Sequence, residues 1–331
     1  PDFVPEEELY KFTDHKGRLL CARYDGTVPA ARFAATVYKN EALPLRLSYI
    51  ENMYRFNQSG GGKQSEFTQA GVELMGAAGS DTDAEVLALA IKTILETGIE
   101  DLQVSIGQVK LFSGLMKQLN IDDATAKRIS DAISQKNVVS IEKIAQECGL
   151  SDFDKETLLM ISEAQGTYDV LDAFRSRITN DEAIKALDNV KEILDILDDY
   201  GYSKYVSVDL GMLSNIDYYT GMIFKGFTYE VGFAIISGGR YDKTTEAFGK
   251  QMDSVGFALG VSLAIIAMMR QGFKPEASKA EVIIGYDKTI KGARKGAIAL
   301  ANQMMAEGSS VILDSNGMTQ DELEAYADEN E

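Results

Sequence analysis

From about Val109 to Tyr200 the sequence is patterned for helix almost without a break. KLFSGLMKQL, ATAKRISDAISQ, VVSIEKIAQECGL, KETLLMISEA and EAIKALDNVKEILDILDDY each return an apolar residue every three or four positions. On either side the pattern changes to short apolar runs separated by polar breaks, the signature of strands. A helical block set inside a β-rich chain constrains the fold more than any other feature, because it reads as an insertion that splits one core into two stretches of sequence.

Before the block, LYKFTD, RLLCARYDG, LRLSYIENMYRFN and SEFTQAGVELMG alternate apolar and polar residues between Gly, Asp and Asn, which predicts antiparallel strands joined as hairpins. SGGG at 59–62 is a connection of high backbone freedom, and the loop from Gln58 to Gln64 is the expected moving part. Asp81–Thr97 opens with an Asp-Thr-Asp cap signal and places Val86, Leu89, Ala90, Ile94 and Leu95 on one predicted helical face. After the block, strands are expected at YVSVDLGML, GMIFKGFTYEV and FAIISGG, then a helix at SLAIIAMMR. The tail reads as β-α-β-α: EVIIGYD, a helix from about Lys291 to Glu307, SSVILDS and a helix over TQDELEAYAD. The expected organisation is therefore a core over 1–108, a helical insertion over 109–183, the rest of the core over 184–275 and a partial α/β domain over 276–331. The core sheet is expected to be antiparallel throughout, with six or seven strands, because hairpin-linked strands cannot be parallel without crossovers.

Composition narrows the function classes. With 331 residues, 45% hydrophobic and 25% charged, the chain is globular and large enough for two or three domains. It holds no apolar run near the roughly 20 residues of a membrane helix, and its first residues, PDFVPEEE, are acidic, so a cytoplasmic location away from membranes is expected. Two cysteines, Cys21 and Cys148, and one histidine, His15, provide neither a disulfide framework nor a zinc cluster. No cofactor or metal is expected. The 51 acidic residues outnumber the 33 basic ones for a net charge of −18, a field that repels phosphate backbones, so nucleic acid is not an expected partner. The same acidity also serves solubility alone.

Three constellations carry chemistry. In MYRFNQSGGGKQSEFTQAGVELMG a strand with Arg55 returns through the glycine loop to a strand with Gln69 and Glu73, whose spacing puts both on one sheet face. An exposed hairpin face would read the same way. Asn215-Ile-Asp-Tyr-Tyr-Thr-Gly221 sends adjacent tyrosines, Tyr218 and Tyr219, to opposite faces, and the paired glycines of Ser237-Gly-Gly-Arg-Tyr-Asp242 permit close approach of a backbone or a ligand. Tyrosine pairs in a core are the competing reading. Ala22-Arg-Tyr-Asp-Gly-Thr27 offers Asp25 and Thr27, either as a site or as a turn and helix cap.

These segments, in this order, resemble the class II aminoacyl-tRNA synthetase core of the histidyl-tRNA synthetase type. FTDHKGRLLCARYDGTVPAARF is similar to its Phe-x-Asp and Arg-Pro-Glu-x-Thr segment, YRFNQSGGGKQSEFTQAGVELMG to motif 2, SNIDYYTGMIFKGF to the histidine signature, SGGRYD to the following loop and SVGFALGV to the opening of motif 3. The resemblance spans about residues 5–270, and the tail resembles the start of that family's anticodon-binding domain. PDFV is similar to the end of motif 1, which implies residues upstream of this chain. The implied fold is α+β: an antiparallel sheet flanked by helices, with a helical insertion and a partial C-terminal α/β domain.

Departures from the pattern decide the implied function. Arg55, the α-phosphate cation of motif 2, is present, but Asn57 stands where the family has the adenine-binding Glu. Ser214-Asn215-Ile216 replaces the segment carrying a catalytic Arg, and Leu263 stands where motif 3 brings another. Preorganised cations are the main source of stabilisation for a transition state at phosphate, and losing one typically costs on the order of 10²-fold or more. The amino-acid pocket of the family is kept at Asp25, Thr27, Gln69, Glu73, Tyr218 and Tyr219, with Asp25 one methylene shorter than the usual Glu. Carboxylates suit an ammonium and hydrogen-bonding groups suit an imidazole. A core that keeps the histidine pocket and loses the ATP cations resembles the regulatory subunits of ATP phosphoribosyltransferase. That resemblance implies a non-catalytic subunit that binds histidine, pairs with a short-form catalytic subunit, mediates feedback in histidine biosynthesis and forms a homodimer within a hetero-oligomer. The alternatives are a divergent histidyl-tRNA synthetase that recruits Lys63 or Arg240 as its cations, and a free-standing synthetase-like scaffold or other amino-acid-binding regulator; Arg55, a remnant of the phosphate site, either retains a ligand or pairs with a local carboxylate.

Overall fold

The computed structural model describes residues 6–56, 65–213, 219–274 and 279–330. The expected mobile loop, Asn57, Lys63, Tyr218 and Ser214 to Ile216 lie outside the described residues. The chain forms two compact units, one up to Phe273 and one from Lys274.

The first unit opens with a hairpin of β1 (Lys11–Thr13) and β2 (Leu19–Cys21), then α1 (Thr27–Thr36), β3 (Leu45–Tyr54), β4 (Glu66–Met75), α2 (Ser80–Leu95) and β5 (Leu102–Gln108). The helical run follows as α3 (Val109–Gln118), α4 (Asp123–Ser134), α5 (Val138–Glu147), α6 (Asp152–Glu163), a two-residue strand β6 (Gln165–Gly166), α7 (Tyr168–Arg175) and α8 (Asp181–Asp199). Local chemistry sets its starts: Asp122, Asn137, Ser151 and Asn180 each accept a backbone N–H from the first turn they precede. Each such cap is worth about 0.5–2 kcal/mol. Strands β7 (Val206–Asp209), β8 (Met222–Thr228), β9 (Ile236–Arg240) and β10 (Ser254–Gly260) then complete the sheet, and α9 (Val261–Arg270) closes the unit.

The main sheet has eight strands in the order β3-β4-β10-β9-β8-β5-β7-β6. Its β4, β8, β9 and β10 pairings are antiparallel, but β5 and β7 run parallel, Val104 opposite Val206. The expectation of six or seven strands, all antiparallel, fails at this pair. A parallel pair needs a long crossover, and the residues between Gln108 and Val206 provide one. The β1–β2 hairpin stays apart from this sheet.

Alternation gives the sheet two unlike faces. On one, Val72 and Leu74, Val255 and Phe257, Met222 and Phe224, Val104 and Ile106, and Val206 and Val208 pack against α2, α8 and α9 in the principal core. In α2, Val86, Ala90 and Ile94 face that core as expected, but Leu89 is 42% exposed and leaves the predicted stripe. The cap signal also fails, since no side chain caps α2 and Asp83 is instead buried. The other face carries the candidate site.

The second unit holds β11 (Val282–Ile284), α10 (Ala293–Ala306), β12 (Val311–Leu313) and α11 (Gln320–Asn330). Its strands are parallel, and Ile284, Ala297 and Ala301 form its small core.

Candidate functional site

Register builds the site. On the face opposite the main core, Tyr49 of β3 lies beside Gly71 of β4, which lies beside Ala258 of β10; one step along, Leu47, Glu73, Gly256 and Gly239 form the next row. The glycines are spatial requirements. A Cβ on Gly256 would overlap Glu73 Oε2, and one on Gly71 or Gly26 would overlap the Tyr49 ring, so Tyr49 lies in a slot between two glycines.

Glu73 stands at the centre and is 1% exposed. Its Oε2 accepts a hydrogen bond from the Tyr241 hydroxyl and its Oε1 one from the Tyr49 hydroxyl at 3.4 Å. Burial pushes its carboxyl up to about 7; the hydroxyls of Tyr241 and Thr27 hold it down, and the Asp25 carboxylate adds to the rise. Burial and the neighbouring Glu73 charge raise the Tyr49 phenol as well, so it stays a donor. Asp25 accepts from the Val28 N–H at 3.1 Å at the start of α1. This bond is the one the turn-and-cap reading of Asp25 expects. Burial raises the Asp25 carboxyl, against the pull of the Val28 N–H and the Arg55 guanidinium.

Arg55 lies over the Tyr24 ring at 4.5 Å and the Phe67 ring at 5.1 Å, and its Nε donates to the Tyr24 carbonyl at 3.2 Å. Stacking of this kind fixes the plane of a guanidinium. Gln69 shares the Glu73 face but pairs with Glu51 and Gly260, four residues further along the strand and about 13 Å away. The Tyr219 ring packs against Gly239, where a Cβ would lie 2.8 Å from its Cε1. The structure thus gathers Asp25, Thr27 and Glu73 around Tyr49 and Tyr241, sets Tyr219 against Gly239 in the neighbouring strand and leaves Gln69 at the far end of the same face.

Tyr49 and Tyr241 are absent from the residues singled out in the sequence. Tyr241 lies inside SGGRYD, where the paired glycines are the signal and the tyrosine is not; Tyr49 has only its register opposite Gly71, which the hairpin alone fixes.

Arg240, one residue after Gly239, points to the opposite face. It is 7% exposed and pairs with Asp83 at 2.7 Å and Asp242 at 3.0 Å, donating also to the Gly79 carbonyl. This guanidinium is committed to α2 and is not available as a recruited phosphate cation. Leu263 packs against the principal core from α9. Among the described residues no group of three or more His, Cys, Asp or Glu is placed to hold a metal, and no helix is long and apolar enough to cross a membrane. Chemically, the cluster brings a buried carboxylate and three hydroxyls together over glycine and alanine, groups able to accept hydrogen bonds from a cationic or imidazole donor.

A family model described as histidyl-tRNA synthetase matches residues 5–263. The ATP phosphoribosyltransferase regulatory subunit of Acetivibrio thermocellus is 43% identical over 316 residues, 96% of this chain and 75% of that protein. The chain belongs to this family of regulatory subunits. The one from Ruminiclostridium cellulolyticum is 40% identical over 94% of this chain and 73% of its own length. A crystal structure from Bacillus halodurans, described as an ATP phosphoribosyltransferase regulatory subunit/histidyl-tRNA synthetase, superposes with a TM-score of 0.86 at 30% identity, over 99% of this chain and 83% of that one. The histidyl-tRNA synthetase of Nostoc shares the fold, with a TM-score of 0.80 at 19% identity, over 97% of this chain and 76% of that one. The class II synthetase fold of these regulatory subunits is therefore also the fold of this chain.

Proposed function

We propose that this regulatory subunit binds free histidine in the pocket around Glu73, carries out no chemical step on it, and is required by a short-form ATP phosphoribosyltransferase catalytic subunit for activity and for feedback control of the first step of histidine biosynthesis. The observation that carries the reading is the buried Glu73 carboxylate, held by Tyr49, Tyr241 and Thr27 beside Asp25. Two carboxylates suit an ammonium, and the surrounding hydroxyls suit the two nitrogens of an imidazole. Tyr218 and Tyr219 complete the proposed pocket, with Gln69 toward its end and Arg55 as the remnant of a phosphate site.

The non-catalytic part of the proposal draws support from the cations. Leu263 cannot stabilise charge at a phosphate, and Arg240 is neutralised by Asp83 and Asp242. Arg55 favours the second reading, a divergent histidyl-tRNA synthetase, and ATP–pyrophosphate exchange by the purified chain would establish it. The proposed assembly is a homodimer within the hetero-oligomer.

Histidine titrated calorimetrically into the chain tests the site. Removing a carboxylate that pairs with a desolvated ammonium costs about 2–5 kcal/mol, so Glu73→Ala and Asp25→Ala should each weaken binding at least tenfold. Unchanged affinity in both moves the site elsewhere. In the reconstituted complex, Glu73→Ala should also relieve feedback; inhibition that persists after histidine binding to this chain is lost would place the regulatory histidine on the catalytic subunit.

A further inference from the structure

A second surface lies at the far end of the sheet face that holds the pocket. Along β8, Ile223 pairs with Gly239, beneath Tyr219, while Phe227, on the same face, pairs with Gln103 of β5. The two positions are four residues, about 13 Å, apart. Phe227 there borders an open groove of about 1000 Å³, lined also by Tyr205, Tyr229, Lys204, Glu100 and Asp101. Its rings are displayed to solvent: Phe227 is 38% exposed and Tyr229 70%, and Tyr200, beyond the groove and joined to it by the Tyr200–Tyr202–Tyr205 ring ladder, is 52% exposed. Exposed aromatics gathered in this way mark interaction surfaces and are the residues that dominate binding energy when covered.

Charge says what covers it. Glu100 and Asp101 are exposed and have no side-chain hydrogen bond or ion pair among the described residues. The ring faces already accept a cation, since Lys204 Nζ lies 4.7 Å from the centre of the Tyr205 ring. A guanidinium meets both demands at once, stacking its plane on a ring while its fork of N–H donors reaches carboxylates at the edge.

We infer that this groove docks an arginine-bearing segment of a protein partner, with Phe227 and Tyr229 as the apolar anchors and Glu100 and Asp101 as the counter-charges. The inference rests on the regulatory-subunit reading, under which that partner is the catalytic subunit. Partner and histidine would then lie on one sheet face, joined by the length of β8.

The test is the affinity of the chain for the short phosphoribosyltransferase subunit, measured by calorimetry and by sedimentation. Glu100→Lys combined with Asp101→Lys, and separately Tyr229→Ser, should each weaken association at least tenfold, with histidine binding and circular dichroism unchanged. Asp131→Lys combined with Glu142→Lys, an equal change of charge on the exposed faces of α4 and α5, should leave association as it was. Wild-type affinity in both groove variants overturns the inference, as does a loss confined to the chain's association with its own copies. A wild-type chain that fails to bind the subunit at all overturns the regulatory-subunit reading, and this inference with it.

Discussion

Glu73 should titrate near neutrality and make the stability of the fold depend on pH. Burial raises its carboxyl from the ordinary glutamate value of 4.5 to about 7. A folded-state pKa above the unfolded one means that the native protein binds the extra proton between those values, so stability is greatest at the acid end and falls as pH rises toward 7. Each unit of difference corresponds to 1.36 kcal/mol; between pH 5 and pH 8 the contribution of this one group amounts to about 2–3 kcal/mol. The many other carboxylates titrate too, which makes the difference between wild type and Glu73→Gln the quantity to measure. Glutamine keeps the shape and cannot ionise. Urea unfolding of both proteins across this range should show Glu73→Gln gaining on wild type by about 2–3 kcal/mol as pH rises, with most of the change between pH 5 and 7. A parallel carbon-13 titration of the Glu73 carboxyl, assigned by its loss in Glu73→Gln, should have its midpoint near 7. A flat stability difference together with a midpoint near 4.5 would refute the argument, because it would mean that the three hydroxyls and the surrounding polarity solvate the anion as well as water does.

Arg240→Ala strands Asp83 in the interior and should cost about 3–5 kcal/mol in urea unfolding, whereas Arg240→Met paired with Asp83→Leu should recover much of that loss. Gly256→Ala puts a methyl group where Glu73 Oε2 lies and 2.6 Å from the Val72 carbonyl; overpacking of this kind costs about 1–3 kcal/mol, and calorimetry should show histidine binding weakened along with it. Gly98→Ala, at a glycine of φ +86° with no neighbour near its Cβ position, should cost stability through backbone strain yet leave histidine affinity unchanged.

Much of the fold is legible where local chemistry and tertiary demand agree. The β3–β4 hairpin shows in its alternation, and the helices of the long run begin where Asp122, Asn137, Ser151 and Asn180 can cap them. The parallel β5–β7 pair is not legible, because its register is set across the whole helical run. Arg240 is a similar case: its partner Asp83 lies 157 residues away, so a buried structural arginine and a recruited cation look alike in one dimension. β10 escapes the strand reading for the opposite reason. In SVGFALG, alternate positions are Gly256, Ala258 and Gly260, residues that weaken strand propensity and flatten the pattern by which strands are recognised. Those same residues form the floor under Glu73, where any side chain at 256 would displace the carboxylate. Local propensity is thus sacrificed where the site needs room, and the strand hardest to read as a strand is the one on which the pocket depends for its space.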